Sequence, residues 1–477
     1  MDASNITEQE ISAVLGANEI YTAYREQWQY LLESYMGGEE YRNAGHLIRY
    51  QLESAGEYSN RLATTPLENH CKSVISVYTS FLFRTPPERD LGRLETLPIM
   101  DDFMRDADHD MRSMDQFMKE CSIWSSVFGH VWCIVAKPDV GAITQADEVL
   151  AGARPYLNMI TPLAVTDWNW TRTLTGKYKL DYLKYLEDIN GDIRIVKEWT
   201  PEFIVTSTVD AHNNKMLDRY VEENGLGYIP AVCVYNNRSV VRGIGISDIA
   251  DIADAQKMIY NATSEAVESI KLDTHPSLVT TPEVNVGTGA GSLIHIPDNL
   301  DPGLKPYALE FSSANIESIY KSIDHTIESI DKMANTGAVR ATESRTMSGV
   351  AMETEFQLLN AKLSEKADQM ELAEDSIWKI FADYYDLPWD GTIDYPGSFN
   401  IRDTGAEIQQ LRTAKDTASD PAVIREIDRR LLNWMGVDED SIEMFEPHVM
   451  ISPEGVRVMA KTYEEHLDLA AQGYTHE

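Results

Sequence analysis

The sequence contains few basic residues: 41 lysines and arginines stand against 77 aspartates and glutamates, and the formal net charge is −36. Nucleic acid repels such a chain unless its cations are gathered locally, which argues against a protein that wraps DNA tightly. The sequence also lacks any run of about twenty apolar residues, and its first ten residues are polar and acidic. We therefore expect no membrane span and no secretion signal, and an intracellular protein at synthesis.

Metal-binding and nucleotide-binding motifs are also missing. Only four cysteines occur, and they are scattered in apolar contexts without the close pairing of metal sites, which predicts buried free thiols. The segment Gly287-Thr288-Gly289-Ala290-Gly291 lacks the Lys-Ser/Thr of a phosphate-binding loop, so we interpret it as flexible turn chemistry. No ATPase signature is present.

What is present is a pair of amphipathic helical patterns on either side of an insert rich in glycine and proline. The first begins at Ser247 and ends near His275-Pro276, because proline disfavours helix in the preceding residue. The second places isoleucines three and four residues apart and ends at Asn335-Thr336-Gly337 with a left-handed cap. The insert, 277–313, contains short β-type runs and predicts a small independent domain.

A polar loop and a long helix follow. The loop, Thr336 to Met347, carries Arg340 and Arg345 against a single acid. Ser348 is placed to cap a helix that has no proline or glycine from 350 to 387. At 1.5 Å per residue this helix reaches about 55 Å, so it spans a large domain or serves an assembly.

The remaining segments alternate between helical and β patterns, which is typical of an α+β fold. The expected helices are 7–57, 69–83, 100–128, 404–434 and 453–472. The expected strands are 131–135, 156–160, 164–168, 181–186, 193–199, 203–206 and 232–235. Asn190-Gly191 between two of these strands predicts a hairpin.

Two groups invite a catalytic interpretation. Asp248, Asp251 and Asp254 share one helix side and could recruit Mg²⁺ as nucleases do, but acids are also favoured at a helix N-terminus and on solvated faces. His130 lies at the mouth of a strand, yet no nucleophile motif accompanies it, and a satisfied core histidine is the simpler interpretation. The methionines at 111, 114 and 118 have helical spacing and are interpreted as core. We expect no enzymatic activity, no catalytic residue, no metal and no cofactor.

Several short segments follow one another in a specific order. They are Arg61 through Asn69 to Pro86-Pro87; Phe128-Gly129-His130-Val131; Tyr156 through Pro162 to Asp167-Trp168; Ile229-Pro230-Ala231-Val232 through Gly245-Ile246-Ser247-Asp248-Ile249-Ala250-Asp251-Ile252 to Tyr260-Asn261 and Ser264; and Ser348-Gly349-Val350-Ala351-Met352. Their order and separation resemble those of tailed-bacteriophage portal proteins, the head-to-tail connector family.

The resemblance implies a portal fold with an α/β wing, a two-helix stem, a small α/β clip, a long wing helix and a helical C-terminal crown. The implied segments are the wing 1–241, stem helix 1 242–271, the clip 272–312, stem helix 2 313–333, the tunnel loop 334–347, the long wing helix 348–386, and the wing end and crown 387–477.

The resemblance also implies a function. The family forms a dodecameric ring at one capsid vertex, through which double-stranded DNA is packaged and ejected, and which meets the terminase, the head-tail adaptor and the major capsid protein. The implied location is the virion, after assembly in the host cytoplasm. A structural capsid or tail component that conducts no DNA is the alternative, and an Mg²⁺-dependent phosphodiesterase is a third possibility.

Three sets of side chains follow from this map. The channel wall would carry Glu317, Lys321, Asp324, Glu328 and Asp331, or these would form an outward solvated face. Arg340 and Arg345 in the tunnel loop would contact DNA phosphates, or pair with acids of a neighbouring subunit. The clip would dock partners through Glu283, Asn285, His295, Asp298 and Asp301, or be a plain solvent-exposed cap.

Overall fold

The computed structural model divides the chain into two compact units, Met1–Asn400 and Ile401–Glu477. The residues it describes are 8–138, 140–141, 147, 151–274, 277–279, 285–286, 294–295, 301, 307–309, 313–340, 349–399, 413–415, 423–424, 427, 448–452, 456–460, 469 and 472–476. The chain mixes helices and strands in the order expected of an α+β fold. No helix in this described part is long and apolar enough to cross a bilayer.

The described helices of the first unit number eleven, besides one short 3₁₀ turn. They are α1 Glu8–Leu15, α2 Glu19–Met36, α3 Gly38–Asn43, α4 Ala55–Thr64, α5 His70–Leu82, α6 Met100–Arg105, α7 Met114–Phe128, α8 Ala250–Thr274, α9 Ser313–Ala334, α10 Gly337–Arg340 and α11 Gly349–Asp383. Side-chain caps fix several of their starts, as at Asn69, whose oxygen accepts from the Lys72 amide before α5. The helical region expected over 7–57 contains the three helices α1, α2 and α3 and the start of α4.

The single helix expected over 100–128 is also wrong. It is divided by a loop, Asp106–Ser113, before a capping box in which Ser113 and Gln116 exchange hydrogen bonds. The backbone of His109 and Met111 is left-handed, with φ of 64° and 65°. Met111 is therefore 89% exposed and not a core residue, whereas the other two methionines of the expected stripe are buried.

A five-stranded antiparallel sheet follows the order β4-β5-β6-β7-β8. Its strands are β4 Val165–Arg172, β5 Tyr178–Asn190, β6 Ile193–Trp199, β7 Phe203–Asp210 and β8 Lys215–Glu223. The predicted Asn190-Gly191 hairpin joins β5 to β6, with Gly191 at φ 60°. The charged strand β8 was not predicted; it pairs with β7, and α1 packs beside its Met216.

A second, three-stranded sheet lies in the main core, in the order β3-β2-β9. Its strands are β2 His130–Ala136, β3 Tyr156–Ile160 and β9 Ala231–Tyr235, all antiparallel. The central strand β2 is buried almost throughout, because α7 and α11 pack against it. Trp132 of this strand and Trp378 of α11 are fully buried.

Shorter strand pairs complete the first unit. They are β1 Glu88–Asp90 with β14 Thr392–Asp394, β10 Ser277–Val279 with β13 Tyr307–Leu309, and β11 Asn285–Val286 with β12 Ile294–His295. The β-type runs predicted in the insert between α8 and α9 are thus confirmed, in the form of two small antiparallel pairs.

The second unit contains a three-stranded sheet in the order β16-β15-β17, formed by β15 His448–Ile451, β16 Arg457–Ala460 and β17 Thr475–His476. The helix expected over 453–472 is wrong at β16, where Val456 and Val458 favour an extended strand paired with β15. A purely helical C-terminal region is therefore corrected to a mixed one. Most of the helix expected over 404–434 lies outside the described residues.

Candidate functional site

The helices α8 and α9 form an antiparallel pair. Thr326 of α9 lies 4.0 Å from the sulfur of Met258, while Ile319, about two turns earlier, lines the same cavity as Ala262, which lies further along α8. Apolar stripes bury the facing sides, including Ile252 and Ile259 of α8 and Ile323 and Ile330 of α9. The predicted bounds of α9 are confirmed to within one residue, and its cap residue Asn335 is left-handed at φ 55°.

The predicted acidic stripe of α9 divides in two. Glu317, Lys321 and Asp324 are exposed, and Glu317 pairs with Lys321 at 2.7 Å. Glu328 is half-buried. Asp331 is only 5% exposed, so its assignment to an exposed channel wall is wrong. Asp331 is buried because an arginine of the next helix, α10, packs over its carboxylate.

That arginine is Arg340, at the end of α10. Its Nη1 lies 3.0 Å from Asp331 Oδ1, and its Nη2 lies 2.8 Å from Nδ1 of His70 at the start of α5. The Nδ1 atom can accept only when His70 is neutral, and burial, followed by the charge of Arg340, lowers the pKa of His70 to about 4. Arg340 therefore meets an acid of its own chain, not one of a neighbour, and holds α10 between α9 and α5. Arg345, the second arginine predicted to contact DNA, lies outside the described residues.

A buried charge cluster joins α8 to α11. Asp248, two residues before the start of α8, accepts a hydrogen bond from Lys366 at 2.6 Å and lies 3.2 Å from the ammonium of Lys362, one turn earlier on α11. Lys366 also donates to Ser126 Oγ at 2.8 Å and to the side-chain oxygen of Asn236, so all three of its protons are used. Burial opposes ionisation of Asp248, but the two lysines outweigh it and lower its pKa to about 2.

Tyr78 connects this cluster to the end of α9. Its hydroxyl donates to the carbonyl of Ala334 at 2.5 Å, and the Lys362 ammonium lies 4.8 Å from the centre of its ring. The start of α8 and the end of α9 are therefore attached to the same pair of lysines. We call Asp248, Lys362, Lys366 and Tyr78 the helix junction.

The sequence before Asp248 makes the junction possible. Ser247 Oγ donates to the carbonyl of Val127 at 2.6 Å and accepts from the Ile249 amide, which caps α8 onto the end of α7. Gly245 crosses Gly129 at backbone contact: a Cβ on Gly245 would lie 1.8 Å from the Gly129 oxygen. The segment that carried the strongest family resemblance thus has a physical role, the close crossing of two backbones.

Sequence reasoning missed the lysines and Asn236. The sequence does indicate that Lys362 and Lys366 share one side of α11, because they are four residues apart. A long helix offers many such pairs, and only tertiary packing shows that this one is buried.

The catalytic interpretations find no support in the geometry. Asp248 is buried among lysines, Asp251 is exposed, and Asp254 accepts a hydrogen bond from Tyr30, so the three carboxylates do not converge. The described residues include no group of three or more potential metal ligands.

His130 is a core residue, as expected, but only one of its two ring nitrogens is satisfied. Its Nδ1 accepts from the Gly245 amide at 3.3 Å, and its ring meets Trp28 edge-on. Its Nε2 has no hydrogen-bond partner among the described residues. Burial lowers the pKa of His130 to about 3, so the ring stays neutral.

The predicted docking residues of the insert are placed only in part. Asn285 and His295 face each other across the β11–β12 pair, and Asp301 is exposed. Glu283 and Asp298 lie outside the described residues. Their grouping on one docking surface stays a prediction.

No protein family model matches the chain, and no curated protein matches it. It is similar to solved structures of gene transfer agent particles. A chain of "Virion of native gene transfer agent (GTA) particle" is 11% identical with a TM-score of 0.44, and the match covers 83% of this chain and 98% of that one. A chain of "Neck of empty GTA particle computed with C6 symmetry" is 11% identical with a TM-score of 0.46, covering 84% and 99%. A chain of "Neck of native GTA particle computed with C12 symmetry" is 10% identical with a TM-score of 0.45, covering 85% and 99%.

Proposed function

We propose that this chain is the subunit of a portal-type ring that forms the DNA channel at one vertex of a capsid. The observation that carries the proposal is the antiparallel pair α8 and α9, which bears a small β insert at one end and is attached to the rest of the unit at the other through the helix junction. A helix pair exposed over much of its length needs lateral neighbours to be stable. A ring of copies supplies them.

The charge of the chain supports a conduit that does not retain DNA. Glu317 and Asp324 are exposed on α9, and the chain as a whole carries −36. Acids repeated around a ring repel phosphate, so passing DNA does not adhere. The ring would be homo-oligomeric, dodecameric by analogy with the family, and its role structural and not enzymatic.

The β insert supports the docking part of the proposal. Strand β10 begins at Ser277, soon after α8 ends at Thr274, and β13 ends at Leu309, shortly before α9 begins at Ser313. The helix pair therefore offers the insert a rigid support. Terminase during packaging, and the head-tail adaptor afterwards, are the partners we assign to it. The capsid protein would meet the outer part of the ring, and the assembled site is the virion.

Electron microscopy of the purified protein tests the ring. We expect class averages viewed down the axis to show rings with a central channel, and light scattering at micromolar concentration to show the matching mass. Monomers in several salt concentrations would contradict the proposal. Particles of defined size without a channel would favour a capsid or tail component that conducts no DNA.

Deleting residues 283–291 tests docking. The deletion removes β11 but leaves the β10–β13 pair at the base of the insert. We expect intact rings that no longer co-purify with terminase. A deletion of 211–213 in the β7–β8 turn is the control and should leave co-purification unchanged. Equal co-purification of both variants would contradict the assignment.

A further inference from the structure

A large open groove lies between the two sheets of the first unit. Its volume is about 860 Å³, and its walls come from β4, β5, β9 and the segment 238–242. Trp168, Trp170, Tyr178 and Tyr235 contribute aromatic rings. We call it the aromatic groove. It is far larger than a packing defect in a protein interior.

Two arginines give the aromatic groove a positive charge in a strongly acidic chain. Arg242 lies 3.6 Å from the centre of the Tyr178 ring, and Arg238 lies 5.1 Å from that of Tyr235. Neither forms an ion pair with a described residue. Between them Val240 is fully exposed. Stacked guanidinium groups with free charge beside apolar surface fit a partner that is both acidic and apolar.

The chain itself carries such a feature. The loop between α6 and α7 presents Met111, 89% exposed, beside Asp110, whose side chain is 85% exposed and lies 3.9 Å from the Arg112 guanidinium of the same loop. The neighbouring Asp101 and Asp102 are also exposed. We call Asp106–Arg112 the acidic loop.

The acidic loop is held rigidly. The Ala107 amide donates to the Arg112 carbonyl at 2.7 Å, and the Met111 amide donates to Asp106 Oδ1 at 2.9 Å. Asp106 in turn pairs with Arg154 at 3.0 Å. An exposed apolar side chain on a preorganised loop loses little entropy when a partner binds it.

The two features lie at opposite edges of one sheet. The Leu157 amide of β3 donates to Ala107 of the acidic loop at 2.8 Å, so the loop adjoins the β3 edge. The aromatic groove is lined by β9, the other edge strand. The acidic loop at one edge and the aromatic groove at the other cannot contact each other within one copy. Two different surfaces of this kind are what a head-to-tail contact between copies requires, and head-to-tail contacts can close a ring.

We propose that the acidic loop of one copy docks into the aromatic groove of the next. Met111 contacts the tryptophan and tyrosine rings, and Asp110 pairs with Arg238 or Arg242. This inference rests on the proposed ring and names a contact that would hold it together.

Cysteine cross-linking tests the contact. The variant carrying Met111→Cys and Val240→Cys is oxidised mildly and separated without reductant. We expect a ladder of covalent oligomers, whereas a mixture of the two single variants should stop at dimers. Cys233, which also lines the groove, should stay unreactive, because burial raises its thiol pKa to about 12; the parent chain is the control.

Charge exchange supplies an independent readout. Asp110→Lys and Arg242→Glu should each raise the dissociation constant between subunits about tenfold or more, and the double variant should recover most of the loss. Rings in micrographs without cross-linking would overturn the docking proposal and leave the proposed function standing. The absence of both rings and cross-links would overturn both. Dimers from Met111→Cys alone would show a symmetric contact and overturn the docking.

Discussion

Replacing Asp248 by alanine is expected to destabilise the first unit by about 3–5 kcal/mol, because it leaves the Lys362 and Lys366 ammonium groups without their only acid in the helix junction. The double variant Asp248→Ala with Lys366→Met should recover part of this loss, since the methionine removes one unpaired charge and fills a similar volume. The measurement is urea unfolding at one fixed protein concentration, because the proposed assembly would make apparent stability depend on concentration.

Asp251→Ala is the matched control. It removes an exposed acid of the same helix and should change the free energy of unfolding by less than about 0.5 kcal/mol. If the Asp248 variant behaved like this control, the junction would not be holding the helix pair.

The pH dependence of the parent follows from the same contact. The pKa of Asp248 falls from 3.8 to about 2 on folding, so its contribution is complete above about pH 4 and is lost as the pH falls towards 2. The Asp248→Ala variant lacks this contribution. Its stability should therefore fall less steeply than that of the parent between these two pH values.

The helix pair could be predicted from the sequence because its signal is local. The isoleucine stripe of α9 repeats at helical spacing over about four turns, and Asn335 supplies a recognisable left-handed end. The strands of the five-stranded sheet were predicted wherever apolar and polar residues alternate. Strand β8 was missed because its charged side chains hide the alternation, and pairing with β7 decides its conformation.

The helix junction and the acidic loop could not be predicted in this way. Asp248 looks like an ordinary acid at a helix start until α11 brings Lys362 and Lys366 against it from more than 110 residues away. Met111 fits a helical stripe, yet the capping box at Ser113 starts a new helix after it. The Ser113/Gln116 pair is a sequence signature of a helix start, and where a new helix does start it gives partners to amides that have no intrahelical acceptor. The helical spacing of the methionines alone does not show whether the chain uses this start or continues through it.

Replacing Arg340 by alanine has the second large expected effect. It leaves Asp331 buried without its cation and should cost about 3 kcal/mol or more. The double variant Arg340→Ala with Asp331→Ala should recover much of that loss, because no buried charge remains. A double-mutant cycle on the free energy of unfolding measures the coupling. Glu317→Ala, which breaks the exposed pair with Lys321, is the control and should cost less than about 0.5 kcal/mol.

The same variants separate anchoring from DNA contact. If the proposed ring packages DNA and Arg340 only anchors α10, the double variant restores both ring stability and the length of packaged DNA. If Arg340 also grips phosphates, the double variant is stable but packages or retains less DNA, and the deficit grows with salt concentration because phosphate contacts are screened. Arg345→Ala, which leaves the Asp331 pair in place, isolates the second predicted contact. Since the Arg340 guanidinium is already held by Asp331 and His70, we expect the anchoring result for Arg340 and the packaging deficit for Arg345.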